Sequence, residues 1–152
     1  MKRCAVVLTV LAFGCAEEGT TALPGIELVQ VFGQEFDGSE GQAIDTSIWN
    51  FDVGTGPNGD GWGNNELQYY TDSTDNISLD GEGNLRIRAL DIPAADRGDF
   101  EGRRYSSARI TTLDKFEQEY GRFEARMKMP SGRGLWPAFW MLGANFPEDG
   151  WP

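Results

Sequence analysis

Two tryptophans four residues apart, Trp136 and Trp140, give the first indication of chemistry in this chain of 152 residues. If they lie on a β-strand, their side chains share one face at a separation of roughly 13 Å. The small Ala138 between them would leave a trough. An indole offers a flat apolar face to the C–H side of a sugar ring and an N–H group to a hydroxyl. The pair is a candidate carbohydrate platform, and the alternative is that both side chains lie in a hydrophobic core.

Acid and base chemistry in this chain is limited to carboxylates. The sequence contains no histidine, and its two cysteines, Cys4 and Cys15, lie near the amino terminus. Histidine-based metal sites, a Ser-His-Asp arrangement and a thiol nucleophile in the folded domain are therefore excluded. The 24 Asp and Glu residues outnumber the 13 Lys and Arg, which gives a net charge of −11. This charge repels phosphate, so we expect no nucleic-acid partner.

The first 15 residues have the pattern of a bacterial export signal. Lys2 and Arg3 precede an almost wholly apolar run that is too short to span a bilayer as a helix. Residues 12–15 approximate a lipobox, in which Cys15 would be lipidated, whereas residues 14–16 also fit cleavage by ordinary signal peptidase. We therefore expect a secreted protein or a cell-surface lipoprotein, whose only contact with a membrane is the lipid anchor. Residues 16–27 are predicted to be a linker, and residues 28–152 form the domain.

The elements that would position these side chains are short β-strands separated by turns rich in Gly, Asp, Asn, Ser and Pro. Residues 122–129 alternate most clearly, with Phe123, Ala125, Met127 and Met129 on one face and charged residues on the other. This pattern predicts an all-β protein, a β-sandwich of the jelly-roll type. A full jelly roll needs more than eight strands, so we expect an incomplete sandwich with unpaired edges. The predicted strands are residues 28–36, 48–53, 66–71, 76–79, 84–90, 104–112, 120–129 and 136–142.

Several segments resemble one enzyme family. GLWPAFWMLG at residues 134–143, GWP at 150–152, GWGNNELQYY at 61–70 and YSSARI at 105–110 are similar to motifs of glycoside hydrolase family 16. The similarity is to its laminarinase-like branch, whose fold is a concanavalin A-like jelly roll. It implies an endo-β-1,3-glucanase that acts on laminarin-type β-glucan with retention, through a covalent glycosyl-enzyme. It also implies that Glu66 supports the structure and that the substrate is bound by Asn65, Arg109, Trp136, Trp140 and Trp151.

Simpler interpretations exist for two of these residues. Asn65 could serve a turn through local hydrogen bonds. Arg109 could form a salt bridge on a sheet face, and Ala108 before it stands where the family often has glycine. The resemblance implies no required cofactor, and it allows a structural Ca²⁺ at Glu35 and the backbone carbonyl of Gly83, because hard oxygen ligands suit this ion.

The family's catalytic motif, Glu-x-Asp-x-x-Glu, follows a Trp-Pro pair such as the one at residues 151–152. We therefore expect no catalytic residue before Pro152 and no activity from residues 1–152 alone. A retaining glycosidase needs two carboxyl groups roughly 5–5.5 Å apart. The acids nearest the motif instead lie in turn-like or loop segments, and none is a credible nucleophile: Asp114, Glu117, Glu119, Glu148 and Asp149.

Two further interpretations stay open. A β-glucan-binding protein would keep the same cleft without the catalytic acids. The second interpretation is that the chain folds poorly. The residues are also compatible with mixed-linkage glucans and with transglycosylation.

Overall fold

The computed structural model describes residues 27–150. The predicted signal peptide (residues 1–15, with Cys15), nearly all of the predicted linker and Trp151 lie outside the described residues. The chain divides into two units, Met1–Gln34 and Glu35–Pro152.

In the first unit, residues 27–34 form no helix or strand. Leu28, Val29 and Val31 are exposed. The prediction of a strand at residues 28–36 is therefore wrong. Apolar, β-branched residues favour a strand, but an extended segment is stable only when a neighbouring strand satisfies its backbone N–H and C=O groups.

Within residues 35–150 the second unit contains seven short strands, so the prediction of an all-β protein is confirmed. Short helical turns occur at Gly61–Asn65, Arg97–Phe100 and Phe146–Asp149. No helix within residues 27–150 is long and apolar enough to cross a membrane. The strands are β1 (Asn50–Phe51), β2 (Gln68–Tyr70), β3 (Ile77–Leu79), β4 (Leu85–Ile87), β5 (Leu90–Asp91), β6 (Tyr105–Ser107) and β7 (Ile110–Thr111).

These strands form three small sheets. β1 pairs antiparallel with β7, and Phe51 lies opposite Ile110. β6 is the centre of a three-stranded sheet, parallel to β2 and antiparallel to β5. β3 and β4 form an antiparallel hairpin. Beyond β1, Gly54 forms a bridge with Tyr70 at the end of β2. This bridge connects the strand that precedes the Gly-rich loop to the three-stranded sheet.

The hydrophobic core lies around the β3–β4 hairpin. Ile77 and Leu79 point inward and are 1% and 4% exposed. Ile44 and Ala108 complete the buried cluster. Side chains that are partly buried pack against it from the surrounding strands and loops: Phe36, Trp49, Phe51, Leu85 and Ile110.

A buried polar network joins the hairpin to the three-stranded sheet. Asn76, which is 2% exposed, accepts a hydrogen bond from the Thr71 hydroxyl at 2.6 Å. Its amide group donates to the Ser106 hydroxyl and to the carbonyl of Arg88, both at 3.0 Å. Because buried polar groups are costly when unpaired, this network fixes the hairpin against β6.

The segment from residue 120 to 142 differs from its predicted structure. The strands expected at residues 120–129 and 136–142 are absent, and this described segment has no regular strand. The predicted inward face is solvent-exposed, with Phe123, Met127 and Met129 at 42%, 49% and 52%. The alternation predicts which residues would share a face of a strand. A strand also needs a hydrogen-bonded neighbour, and within residues 27–150 none pairs with this segment.

Candidate functional site

The guanidinium of Arg109 contacts the rings of two tryptophans. Its Cζ atom is 4.3 Å from the centre of the Trp62 ring and 4.9 Å from that of Trp140. Both distances are within the range of cation–π attraction. Its Nε–H donates to Oδ2 of Asp52 at 2.8 Å, and both side chains are largely buried. One carboxylate and two aromatic rings therefore hold this cation in position.

The pairing of β1 with β7 brings Asp52 to Arg109. Asp52 directly follows β1, and Arg109 directly precedes β7. The backbone N–H of Asp52 donates to the carbonyl of Arg109 at 3.0 Å, which continues the antiparallel pairing beyond the strands. The salt bridge on the sheet, proposed from the sequence as the simpler role of Arg109, is present, and the same cation also contacts both indoles.

A tight loop holds Trp62 in place. The N–H groups of Gly61 and Trp62 both donate to the carbonyl of Thr55, and the indole N–H donates to the carbonyl of Gly54 at 3.3 Å. Trp62 has a φ of 56°, an unusual value for a bulky residue. A Cβ atom on Gly56 would lie 2.9 Å from the Trp62 nitrogen, so only glycine fits there. The backbone thus fixes the ring of Trp62 more firmly than an ordinary loop would.

The carboxylate of Glu66 supports the end of this loop. Glu66 is 9% exposed and accepts hydrogen bonds from the Tyr70 hydroxyl at 2.7 Å, the Gln68 amide at 2.8 Å and the Asn64 amide at 3.0 Å. The backbone carbonyl of Glu66 also accepts from Arg103 at 2.9 Å. These contacts connect the loop to β2, so Glu66 has the supporting part that the family resemblance implies.

Burial of the Tyr70 hydroxyl, together with its hydrogen bond to the Glu66 carboxylate, raises the pKa of Tyr70 well above its ordinary value of 10.0. The phenol donates to a carboxylate, and removal of its proton would place two negative charges side by side. Tyr70 therefore stays protonated, and its ring lies 6.2 Å from that of Trp62.

The structure brings together two of the five residues predicted to bind substrate, Arg109 and Trp140. The Trp140 side chain is 42% exposed, which leaves ring surface open to solvent. Trp136 is 68% exposed and has no ring contact among the described residues. Since residues 136–142 are not a strand, the expectation that Trp136 and Trp140 share one strand face is wrong. The core alternative is also wrong for both.

Asn65 lies exposed at the end of the loop with a φ of 55°, and its side chain makes no hydrogen bond within residues 27–150. The local turn contacts offered as its simpler role are therefore not present.

Sequence reasoning missed Trp62 and Asp52. Trp62 had a usable signal, because a tryptophan flanked by Gly61 and Gly63 points to a loop built around its ring. Asp52 had none, since its partner lies 57 residues away and only the register of β1 on β7 brings them together.

The acidic residues after β7 lie in an exposed turn, as their sequence predicts. Asp114, Glu117 and Glu119 are all solvent-exposed. No three Asp, Glu, His or Cys side chains converge on a metal-sized site in the part of the chain that the structure describes.

The residues considered for a structural Ca²⁺ lie close together. A Cβ atom built on Gly83 would be 3.7 Å from the carbonyl oxygen of Glu35 and 3.8 Å from Oδ1 of Asp37. The three residues supply backbone and carboxylate oxygens, the donor type that Ca²⁺ prefers. Asp37 was not among the residues predicted from the sequence.

Residues 60–150 match the sequence profile described as glycosyl hydrolases family 16. Over 160 residues the chain is 42% identical to the beta-glucanase of Rhodothermus marinus, with 99% of this chain and 51% of that protein aligned. It is 41% identical to the glucan endo-1,3-beta-glucosidase A1 of Niallia circulans, over 86% of this chain and 19% of that protein. The chain thus spans about half the length of the first relative and about a fifth of the second.

Among solved structures, the chain is similar to the laminarinase catalytic domain of Thermotoga maritima MSB8. The TM-score is 0.63 at 44% identity, and the match covers 80% of this chain and 46% of that one. The fold shared with such laminarinases is the jelly-roll β-sandwich, so that prediction from the sequence is confirmed.

Proposed function

Since this chain belongs to glycoside hydrolase family 16, we propose that the protein is an endo-acting hydrolase of laminarin-type β-1,3-glucans, working with retention at the anomeric carbon. The observation that carries the substrate class is the Trp62–Arg109–Trp140 arrangement, which lies inside the span that matches the family. A glucan chain offers the two surfaces that this arrangement complements, namely apolar ring faces and rows of hydroxyl groups.

In this proposal, Trp140 stacks on a glucose ring through the face that Arg109 does not cover. The terminal nitrogens of Arg109 donate to sugar hydroxyls, and Asn65 contributes an amide at the edge of the loop. Trp136, exposed four residues before Trp140, and Trp151 would extend the contact along the polysaccharide. The reaction requires no cofactor.

Hydrolysis is tested on the full-length protein, with any residues that follow Pro152 included; laminarin is the substrate and xylan the control. We expect reducing ends to appear from laminarin only, with a mixture of oligosaccharides that indicates internal cleavage, and with the β-anomer formed first by NMR. Binding of laminari-oligosaccharides without release of reducing ends would identify a glucan-binding protein instead. A protein that shows neither binding nor cleavage of laminarin would contradict the proposal.

Trp140 provides the test of the binding surface. We expect Trp140→Ala to weaken binding of a laminari-oligosaccharide by about tenfold, because a stacking face is lost. The same change should shift the free energy of unfolding by less than about 1 kcal/mol, since the ring is half exposed. Isothermal titration calorimetry and chemical denaturation measure the two effects. Equal affinity in variant and wild type would remove Trp140 from the site.

We also propose a structural Ca²⁺ held by Glu35, Gly83 and the Asp37 carboxylate. Calcium that binds only the folded state raises Tm, by an amount that depends on its free concentration. We expect Tm to fall when EDTA replaces 1 mM Ca²⁺. The folded state then loses the free energy of calcium binding, roughly a few kcal/mol. Asp37→Asn should reduce this difference, and a Tm indifferent to EDTA would rule the ion out.

Export of the protein, with or without a lipid on Cys15, completes the proposal. Labelling with a radioactive fatty acid in a bacterial host distinguishes the two routes, because only a lipoprotein incorporates the label. A protein that stays in the cytoplasm would contradict both.

A further inference from the structure

Trp62 is one of the two tryptophans whose rings contact the guanidinium of Arg109; the other is Trp140. The ring of Trp62 is the nearer of the two, at 4.3 Å against 4.9 Å. It is also held by its own backbone and by the bond from its indole N–H to Gly54. Trp140, by contrast, sits in a segment without regular structure. Of the two indole rings that contact Arg109, that of Trp62 is therefore the more firmly held.

The contacts of Arg109 leave one part of its guanidinium open. Two indole rings contact the guanidinium, and Nε–H donates to Asp52. In the part of the chain that the structure describes, its two terminal nitrogens, Nη1 and Nη2, have no hydrogen-bond partner. A planar fork of N–H donors held in one plane matches two neighbouring acceptor oxygens, such as a pair of sugar hydroxyls.

We propose that Trp62 is a positioning residue for substrate binding: it holds the guanidinium of Arg109 in place, so that the open terminal nitrogens meet the sugar hydroxyls. This inference rests on the proposed function. In this proposal Trp62 acts on substrate binding through Arg109, which lies over its ring, and not by direct contact with the sugar. Trp62 raises affinity because it restricts the Arg109 side chain before the substrate binds, so less conformational entropy is lost on binding.

The test compares two variants of Trp62 with a matched control. Trp62→Leu removes the π-face but keeps apolar volume, whereas Trp62→Phe keeps a smaller π-face. Tyr120→Leu, at an aromatic residue that is 78% exposed, is the control. We expect Trp62→Leu to weaken laminari-oligosaccharide binding about fivefold to tenfold, Trp62→Phe by about twofold, and Tyr120→Leu not at all.

A double-mutant cycle separates positioning from a structural effect. If Trp62 acts through Arg109, then Trp62→Leu should cause no further loss of affinity in an Arg109→Ala background. Additive losses would mean that Trp62 acts independently, and they would overturn the inference.

An NMR measurement tests the geometry without ligand. The two indole faces should shift the Arg109 Nε–H resonance upfield by ring currents, and Trp62→Leu should move it back while Trp62→Phe retains most of the shift. An unchanged resonance in Trp62→Leu would overturn the inference. A wild-type protein that fails to bind laminari-oligosaccharides would overturn the proposed function, whereas wild-type affinity in Trp62→Leu would overturn the role of Trp62 alone.

Discussion

At the scale of single residues, the charged side chains of the candidate site already have partners within the protein. Glu66 is nearly buried, yet three side-chain donors satisfy its carboxylate. Arg109 donates from Nε to Asp52, and two indole rings contact its guanidinium. An unpaired charge in such a position would cost several kcal/mol, so these contacts are what allow charged groups to remain there.

Because of Tyr70, the free energy of unfolding should decrease as the pH becomes alkaline. Its pKa is raised in the folded state by burial and by Glu66, so above pH 10.0 the folded chain holds a proton that the unfolded chain releases. The stabilising contribution is complete below pH 10.0 and is lost as the pH rises toward the folded pKa. We expect the denaturation midpoint to fall more steeply between pH 9 and 11 in wild type than in Tyr70→Phe.

Tyr120→Phe is the control for this measurement, because Tyr120 is 78% exposed. Its profile should follow that of wild type. Identical pH profiles for wild type and Tyr70→Phe would show that the Tyr70 proton is not linked to folding.

At the scale of elements, sequence patterns predicted the strands that find partners. The runs containing β2, β3, β4 and β6 each produced paired strands near the expected positions. Residues 122–129 have the clearest alternation of all and remain unpaired, because alternation describes a face and says nothing about a neighbour. Arg109 and Trp140, which lie together in the structure, were predicted as site residues from motifs. Trp62 and Asp52 were not, because loop conformation and strand register determine their contacts.

The loop that carries Trp62 offers a paired glycine test. Gly61 and Gly63 both have positive φ, at 70° and 76°. A Cβ on Gly61 would lie 2.6 Å from the carbonyl oxygen of Glu66, whereas one on Gly63 would meet nothing within 4 Å. Gly63→Ala should therefore cost only the conformational term of about 1–2 kcal/mol. Gly61→Ala should cost roughly 3 kcal/mol or more, because the backbone must move.

Chemical denaturation measures both variants, and laminari-oligosaccharide binding should weaken only in Gly61→Ala. Equal losses of stability would show that backbone conformation alone, and not the close approach to Glu66, requires glycine at residue 61.

At the scale of the whole molecule, apolar surface and net charge oppose each other. Residues 120–141 expose nine large apolar side chains, and exposed apolar surface favours association. The net charge of −11 opposes it by repulsion between molecules. The exposed side chains are Tyr120, Phe123, Met127, Met129, Leu135, Trp136, Phe139, Trp140 and Met141.

We expect the 152-residue chain to bind the dye ANS and to associate as salt is added. Raising the salt from about 0.01 M to 1 M shortens the Debye length from about 30 Å to 3 Å and removes the repulsion. Met127→Gln with Met129→Gln should lower both the dye fluorescence and the light scattering. Scattering that decreases with salt would mean that ion pairs, and not apolar contacts, hold the molecules together.

The carbonyl of Thr55 accepts two backbone N–H groups, from Gly61 at 2.9 Å and Trp62 at 3.0 Å, and Thr55 is 2% exposed. In deuterated solvent these two amides should exchange as slowly as those of a sheet, although they belong to a loop. The loop that holds Trp62 against Arg109 would then open only when the surrounding sheet opens. Deuterium uptake at the Trp62 amide would therefore report whether the whole site is intact.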